Sequence, residues 1–145
     1  HIKLRFAKDY NKEIMVKADR GKIAQVLTNL ISNSISYGNE NGETQVRFYE
    51  VDDIVSVEIS DNGPGIEPHE LPRLFERFYR VEKSRNRNEG GSGLGLSIVK
   101  HILDSHNQTI SVRSTIGVGS TFTFSLDKFE GTSSTLVTSR GITIK

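Results

Sequence analysis

Cysteine is absent from this 145-residue chain, which excludes disulfide staples and thiolate metal centres and suits a reducing compartment. Histidine is sparse, with four in all. Long apolar runs are missing too. Nothing approaches the roughly 18 to 20 residues a bilayer crossing requires, and the opening HIKLRF lacks a signal-peptide pattern. Nor is there an excess of one charge. With 19 Lys and Arg against 18 Asp and Glu, the formal net charge is +1, which argues against a protein whose main work is gripping a nucleic-acid backbone. The chain opens without methionine, directly in a strand-like alternation, and is read as a soluble piece of a longer protein.

What is present fits one globular domain able to bury a core, with 34% hydrophobic residues. Strands are expected in IKLRF and IMVKA, after which Asp19 is placed to cap a helix. Apolar residues at Ile23, Val26, Leu27, Leu30, Ile31 and Ile35 predict an amphipathic helix over 22–37, ended by Gly38. TQVRFYEV and IVSVEIS predict a hairpin turning at Asp52 and Asp53. PHELPRLFERF predicts a short helix, VEKSRNRNEGGSG a loop, and LGLSIVKHILDSH a helix with Leu96, Val99, Ile102 and Leu103 inward. TISVRST and STFTFSL close the domain as a hairpin. Residues 128–145 are rich in Ser and Thr and read as a linker, as appended sequence, or as an added edge strand through TLVT or ITIK.

Three stretches carry chemistry. Gln25, Asn29 and Asn33 recur every four residues and share one polar stripe of the first helix. Amides at that spacing are either solvated or the wall of a site, where an amide oxygen suits magnesium that takes its other oxygens from phosphates and water. DNGPGI, after the second strand of the first hairpin, reads as a type II-like turn or as a base pocket. In the second case Asp61 points its carboxylate inward, where it accepts from the amino group of adenine and opposes the carbonyl of guanine. Gly63 and Gly65 would then let a flat ligand approach the backbone. GGSGLGLSIVK leads Gly90, Gly91, Gly93 and Gly95 into a helix, where free NH groups and the helix dipole favour anions. It matches neither the P-loop nor the Rossmann fingerprint. Arg77, Arg80, Lys83, Arg85 and Arg87 lie between, as a solvated lid or with Arg80 reaching a terminal phosphate. Phe75 and Phe78 there are core residues or cofactor contacts.

Taken in order, QVLTNLISNSISYG, DNGPGI, LFERFYR and GGSGLGLSIVKHIL resemble the four nucleotide-binding motifs of the sensor histidine kinase catalytic domain, over residues 3–127. This family belongs to the ATPase superfamily shared with gyrase, the heat-shock chaperone and the mismatch-repair ATPases. The resemblance implies an α+β fold: a two-layer sandwich whose mixed, mostly antiparallel sheet of about five strands packs on about three helices. Residues 1–127 would be that domain and 128–145 its tail.

The resemblance implies ATP and Mg2+ as cofactors, with Asn33 on the metal, Asn29 beside it and Tyr37 lining the pocket. It gives Asp61 the adenine amino group, Gly63, Gly65 and Ile66 the base pocket, and Arg80 the triphosphate, so that Asn33 and Arg80 are the catalytic pair. Residues 82–92 would be the lid over ATP, and Gly91, Gly93, Leu94, Gly95 and Leu96 would receive the phosphates. Phe75 and Phe78 would anchor the lid and dock on the phosphoacceptor helices, with Phe78 also touching the cofactor. Ser36 stands where the family often has a phosphate-binding lysine, Ser34 where it often has alanine, and SHNQ replaces a frequent His-Gly-Gly.

Water-activating relatives resemble one another in a glutamate four residues before the metal asparagine. Here that residue is Asn29, which has no useful basicity. The nucleophile is therefore expected to be a histidine on another domain, because His1, His101 and His106 lack the family's acidic neighbour and His69, though followed by Glu70, lies in the turn after Gly65. The alternatives are a self-contained ATPase and a nucleotide-binding module without transfer. The implied partners are the phosphoacceptor dimerisation domain of the same kinase and a response regulator, with no nucleic acid. The parent is expected to be a membrane-anchored homodimer, with this piece a cytoplasmic domain of an inner-membrane sensor.

Overall fold

The computed structural model describes residues 1–8, 13–81, 93–129 and 142–144. In chain order the elements are β1 (Lys3–Phe6), β2 (Ile14–Lys17), α1 (Arg20–Tyr37), β3 (Glu43–Val51) and β4 (Ile54–Asp61). A single 3-10 turn (Leu71–Arg73) follows, then α2 (Gly95–Ser105), β5 (Ile110–Thr115), β6 (Gly119–Lys128) and β7 (Ile142–Ile144).

The strand alternation decides which face is covered. Val46 and Phe48 on β3, Val55, Val57 and Ile59 on β4, and Phe122, Phe124 and Leu126 on β6 are all buried. The antiparallel register aligns them in rows: Phe48 opposite Val57 and Val57 opposite Phe124, then Val46 opposite Ile59 and Ile59 opposite Phe122. Onto this face α1 lays Ile23, Val26 and Leu30, and α2 lays Val99, Ile102 and Leu103. The other face carries polar rows such as Arg47, Glu58 and Thr123, and Ser60 hydrogen-bonds Thr121 at 2.9 Å. One apolar face against one helical layer makes the two-layer α+β sandwich.

Asp19 caps α1, its Oδ1 accepting from Lys22 N at 3.0 Å. Ile35 was expected to face inward but is 43% exposed, while Ser34 is buried. From Ile23, Val26 and Leu30, the helical period reaches the core again at 34 rather than 35. Ser34 meets that burial by sharing a 2.7 Å hydrogen bond with the buried Thr44 of β3.

Among the described residues the sheet has seven strands rather than about five, in the order β1-β3-β4-β6-β2-β7, with β5 also paired to β6. Most pairs are antiparallel; β1 with β3 and β2 with β7 are parallel. Two α-helices are present among the described residues rather than about three. PHELPRLFERF holds only the 3-10 turn, because Pro72 lacks an amide donor and disfavours a helical conformation in the residue before it. In the tail, Ile142–Ile144 pairs with Ile14–Val16, and β6 continues to Lys128; TLVT lies outside the described residues. Among the described residues, no helix is long and apolar enough to cross a membrane.

Candidate functional site

β4 ends at Asp61, opposite Ser120 at the start of β6, and the chain leaves the sheet through DNGPGI. Asp61 Oδ1 accepts from Gly63 N at 2.9 Å. Burial pushes this carboxyl up from the ordinary range, opposed by backbone hydrogen bonds from Gly63 and Ser120. The turn is braced on several sides. Asn62 Oδ1 accepts from Glu43 N at 2.7 Å, and Asn39 Nδ2 donates to Asn62 O at 3.0 Å. From the β5–β6 hairpin, Gly117 N donates to Pro64 O at 2.9 Å, and Ser114 Oγ accepts from Ile66 N at 2.8 Å.

The protein's own backbone explains both glycines of the turn. A Cβ on Gly63 would stand 2.9 Å from Asp61 Oδ1 and 3.0 Å from Tyr37 O. Gly65 has φ +80°, and a Cβ there would strike the Thr115 carbonyl. Gly65 lines the neighbouring cavity, whereas Gly63 packs beneath it and is not among the lining residues.

That cavity, about 330 Å³, is walled at its sheet end by Asp61, Pro64, Gly65, Ile66, Ser120 and Phe122. Asn39, Arg80 and Val81 also border it. A second cavity of about 240 Å³ is lined by Asn29, Ser32 and Ser36 of α1 and by Gly93 and Gly95 at the start of α2. Asn33, Tyr37, Leu74, Tyr79 and Leu96 line both, so the two form one cleft. Its sheet end is mostly apolar with a carboxylate at the floor. Its helix end is polar, and none of the described residues lining it is charged.

The α1 stripe thus faces the cleft through Asn29 and Asn33, while Gln25 is exposed and lines neither cavity. Asn29 Nδ2 donates to Gly95 O at 3.4 Å, a long bond joining the stripe to the start of α2. Leu94 does not line the cleft; its carbonyl accepts from Ile98 N at 2.9 Å and Ser97 Oγ at 2.8 Å, starting the helix. Among the described residues, no group of three or more His, Cys, Asp or Glu could hold a metal. The donor set beside Asn33 is amide and hydroxyl, which fits magnesium carried in largely by phosphate and water and not a metal caged by protein carboxylates.

Phe78 departs from the expected cofactor contact: it is 66% exposed and lines neither cavity. Its backbone has φ 66°, and its amide donates to Gly93 O at 2.9 Å. A Cβ on Gly93, itself at φ +76°, would lie 2.8 Å from the Phe78 carbonyl carbon, so this glycine permits a backbone-to-backbone closure. Phe75 instead turns inward, edge-on to Phe122 with centroids 6.4 Å apart. Gly91, with Lys83, Arg85, Arg87 and the rest of the expected lid, lies outside the described residues.

Several cleft residues had no separate signal in the sequence. Tyr79 borders both cavities, held by its hydroxyl, which donates to the buried Glu70 at 3.2 Å, and by the Arg73 guanidinium 4.5 Å from its ring centre. Ser120 and Phe122 arrive through strand register, and Leu74 through the 3-10 turn. Only adjacency to Arg80 in LFERFYR could have pointed to Tyr79.

Residues 18–130 match the family described as histidine kinase-, DNA gyrase B-, and HSP90-like ATPase. The phosphate regulon sensor protein PhoR of Pseudomonas aeruginosa is 39% identical over 119 residues, which is 82% of this chain and 27% of that protein. The sensor histidine kinase WalK of Bacillus subtilis is 38% identical over 118 residues, 80% of this chain and 19% of that protein. The chain therefore spans under a third of either relative. Among solved structures, the mycobacterial sensor histidine kinase MprB superposes with a TM-score of 0.72 at 26% identity, covering 88% of this chain and 84% of that one. Histidine kinase ThkA, solved in complex with the response regulator protein TrrA, gives 0.69 at 29% identity, over 88% of this chain and 34% of that one.

Proposed function

This chain belongs to the histidine kinase-, DNA gyrase B- and HSP90-like ATPase family, in the form carried by sensor histidine kinases, and on that footing we propose that it binds Mg-ATP and donates the γ-phosphate to a histidine on a separate phosphoacceptor domain. The observation that carries this reading is the cleft itself: a half-buried carboxylate lining a mostly apolar cavity, continuous with a polar cavity bordered by two asparagines and the start of a helix.

Asp61 Oδ1 is engaged by Gly63 N, and its carboxylate retains acceptor capacity for the amino group of adenine. The same carboxylate meets the guanine carbonyl with repulsion, so the site selects adenine. Ile66, Leu74 and Phe122 line the cavity there and would supply the apolar surface against the base. At the other end Asn33 would hold the magnesium, which when bound neutralises phosphate charge and orients the leaving group. Asn29 reaches the start of α2 through its long bond to Gly95 O, and Gly93 and Gly95, which line this end, would receive the phosphates at the helix start. Arg80, which borders the base cavity, is the residue proposed to contact the triphosphate.

Among the described residues, no histidine lines either cavity and no carboxylate lines the helix end. Asn29 cannot deprotonate water, so an external imidazole is the expected nucleophile. The partners proposed are the phosphoacceptor dimerisation domain of the same kinase and a response regulator, as ThkA has with TrrA. The parent is proposed to be a membrane-anchored homodimer holding this domain in the cytoplasm. The test is incubation with radiolabelled ATP and the parent's phosphoacceptor domain. Acid-labile label on the acceptor histidine is expected; label released only as free phosphate would replace this reading with an ATPase.

A further inference from the structure

His106, just past α2, joins the two helices that border the phosphate end of the cleft. Its Nε2 lies 3.0 Å from the backbone amide of Asp19, the residue that caps α1. Its Nδ1 lies 2.8 Å from the Ile102 carbonyl, inside the last turn of α2, with Ser105 Oγ 3.4 Å away. An amide can only donate and a carbonyl can only accept. Nδ1 must therefore carry the proton and Nε2 must keep its lone pair, which fixes both the charge and the tautomer of the ring. The Asp19 carboxylate accepts from Lys22 N at 3.0 Å, while the Asp19 amide, one of the first-turn amides with no partner inside the helix, donates to the imidazole.

α1 and α2 pack against each other, and side-chain hydrogen bonds between them occur at both ends of the pair. One is Asp19 to His106; the other is Asn29 to Gly95, at the phosphate end. The second is long, at 3.4 Å, and leaves the relative position of the helices weakly set where it matters most. We propose that His106, as the neutral Nδ1–H tautomer, is a positioning residue that sets the register of α1 on α2 and so the spacing between Asn29 and Asn33 and the helix start that receives phosphate. This rests on the nucleotide reading above for its functional consequence, though the tautomer itself does not.

Two measurements test it. Long-range proton–nitrogen NMR on the folded protein is expected to find His106 neutral and protonated at Nδ1, against the Nε2–H form that a free imidazole favours; an Nε2–H or doubly protonated ring would overturn the proposal. Side-chain replacement then separates the two bonds. Asparagine reproduces the Nδ1 donor to Ile102, and glutamine places an acceptor near Nε2. His106→Asn is expected to weaken Mg-ATP binding by about threefold to tenfold, the worth of one lost hydrogen bond, while His106→Gln stays within about twofold of the unsubstituted protein. Equal losses in both variants, or none in His106→Asn, would overturn the positioning role. Failure of the unsubstituted protein to bind Mg-ATP would refute the function reading, and the tautomer would still decide the helix tie.

Discussion

The two ends of the cleft are built by different means. The sheet end, proposed to take the base, is a product of the sheet: Asp61 and Ser120 are cross-strand partners, and the turn after Asp61 is held by Glu43, Asn39, Gly117 and Ser114. The helix end, proposed to take the phosphates, is a product of two helices, with one long side-chain hydrogen bond near the site and no charged residue among those described on its wall. Where recognition depends on a fixed pattern of donors and acceptors, the fold supplies rigidity. Where the ligand brings metal and charge, the fold supplies neutral donors and leaves room to adjust.

The most severe expected break of this contrast is Asn33→Ala. Removing the amide should abolish magnesium-dependent binding and phosphoryl transfer, read as nucleotide affinity that no longer responds to added magnesium. Next is Asp61→Asn, which should weaken ATP binding by about 1.5 to 3 kcal/mol, the range for a hydrogen bond to a charged group. Calorimetry with ATP and GTP would show discrimination between the bases falling with it.

Asp61→Asn should at the same time leave thermal stability of the unliganded protein unchanged or higher. The sign follows from linkage: burial raises the folded carboxyl above its unfolded value, so the group binds protons more readily in the folded state, and its ionisation costs stability as pH rises through that window. For ATP the dependence runs the other way. Binding requires the ionised acceptor and should fall on acidification at a higher pH than an ordinary carboxylate would allow, a dependence that Asp61→Asn removes.

Gly65→Ala should cost about 1 to 3 kcal/mol of stability, because the new Cβ meets Thr115 in a left-handed backbone. Denaturant unfolding measures it, and an equal change at the solvent-facing Gly21 should be far milder. The smallest effect expected is a gain. Ser36→Lys places a cation on the uncharged phosphate wall and should tighten ATP binding about threefold to tenfold at low salt, less as salt screens it. No response would mean that position 36 does not face phosphate.

The residues of the proposed chemistry were legible because they lie in short motifs with local meaning. Asn29 and Asn33 share a helical stripe, and Asp61 ends a strand before a glycine turn. The reasons for the glycines were not legible. Gly63 and Gly65 read as room for a ligand, yet both are crowded by Tyr37 and Thr115, residues distant in sequence. Phe78 reads as a cofactor contact because it sits in LFERFYR, but its ring is 66% exposed and lines neither cavity.

What the sequence determined alone were the repeating features: the period-2 runs of β3, β4 and β6, the period of α1 and α2, the cap at Asp19 and the turns. These follow from steric and hydrogen-bonding preferences acting over a few neighbouring residues. Only the tertiary structure decided that Ser120 stands beside Asp61, that Tyr79 borders both cavities, and that His106 meets the amide of Asp19. Such partners are chosen by packing of whole layers, where the fit of one buried face to another sets register and helix position, and no local pattern encodes which distant residue that fit will bring into reach.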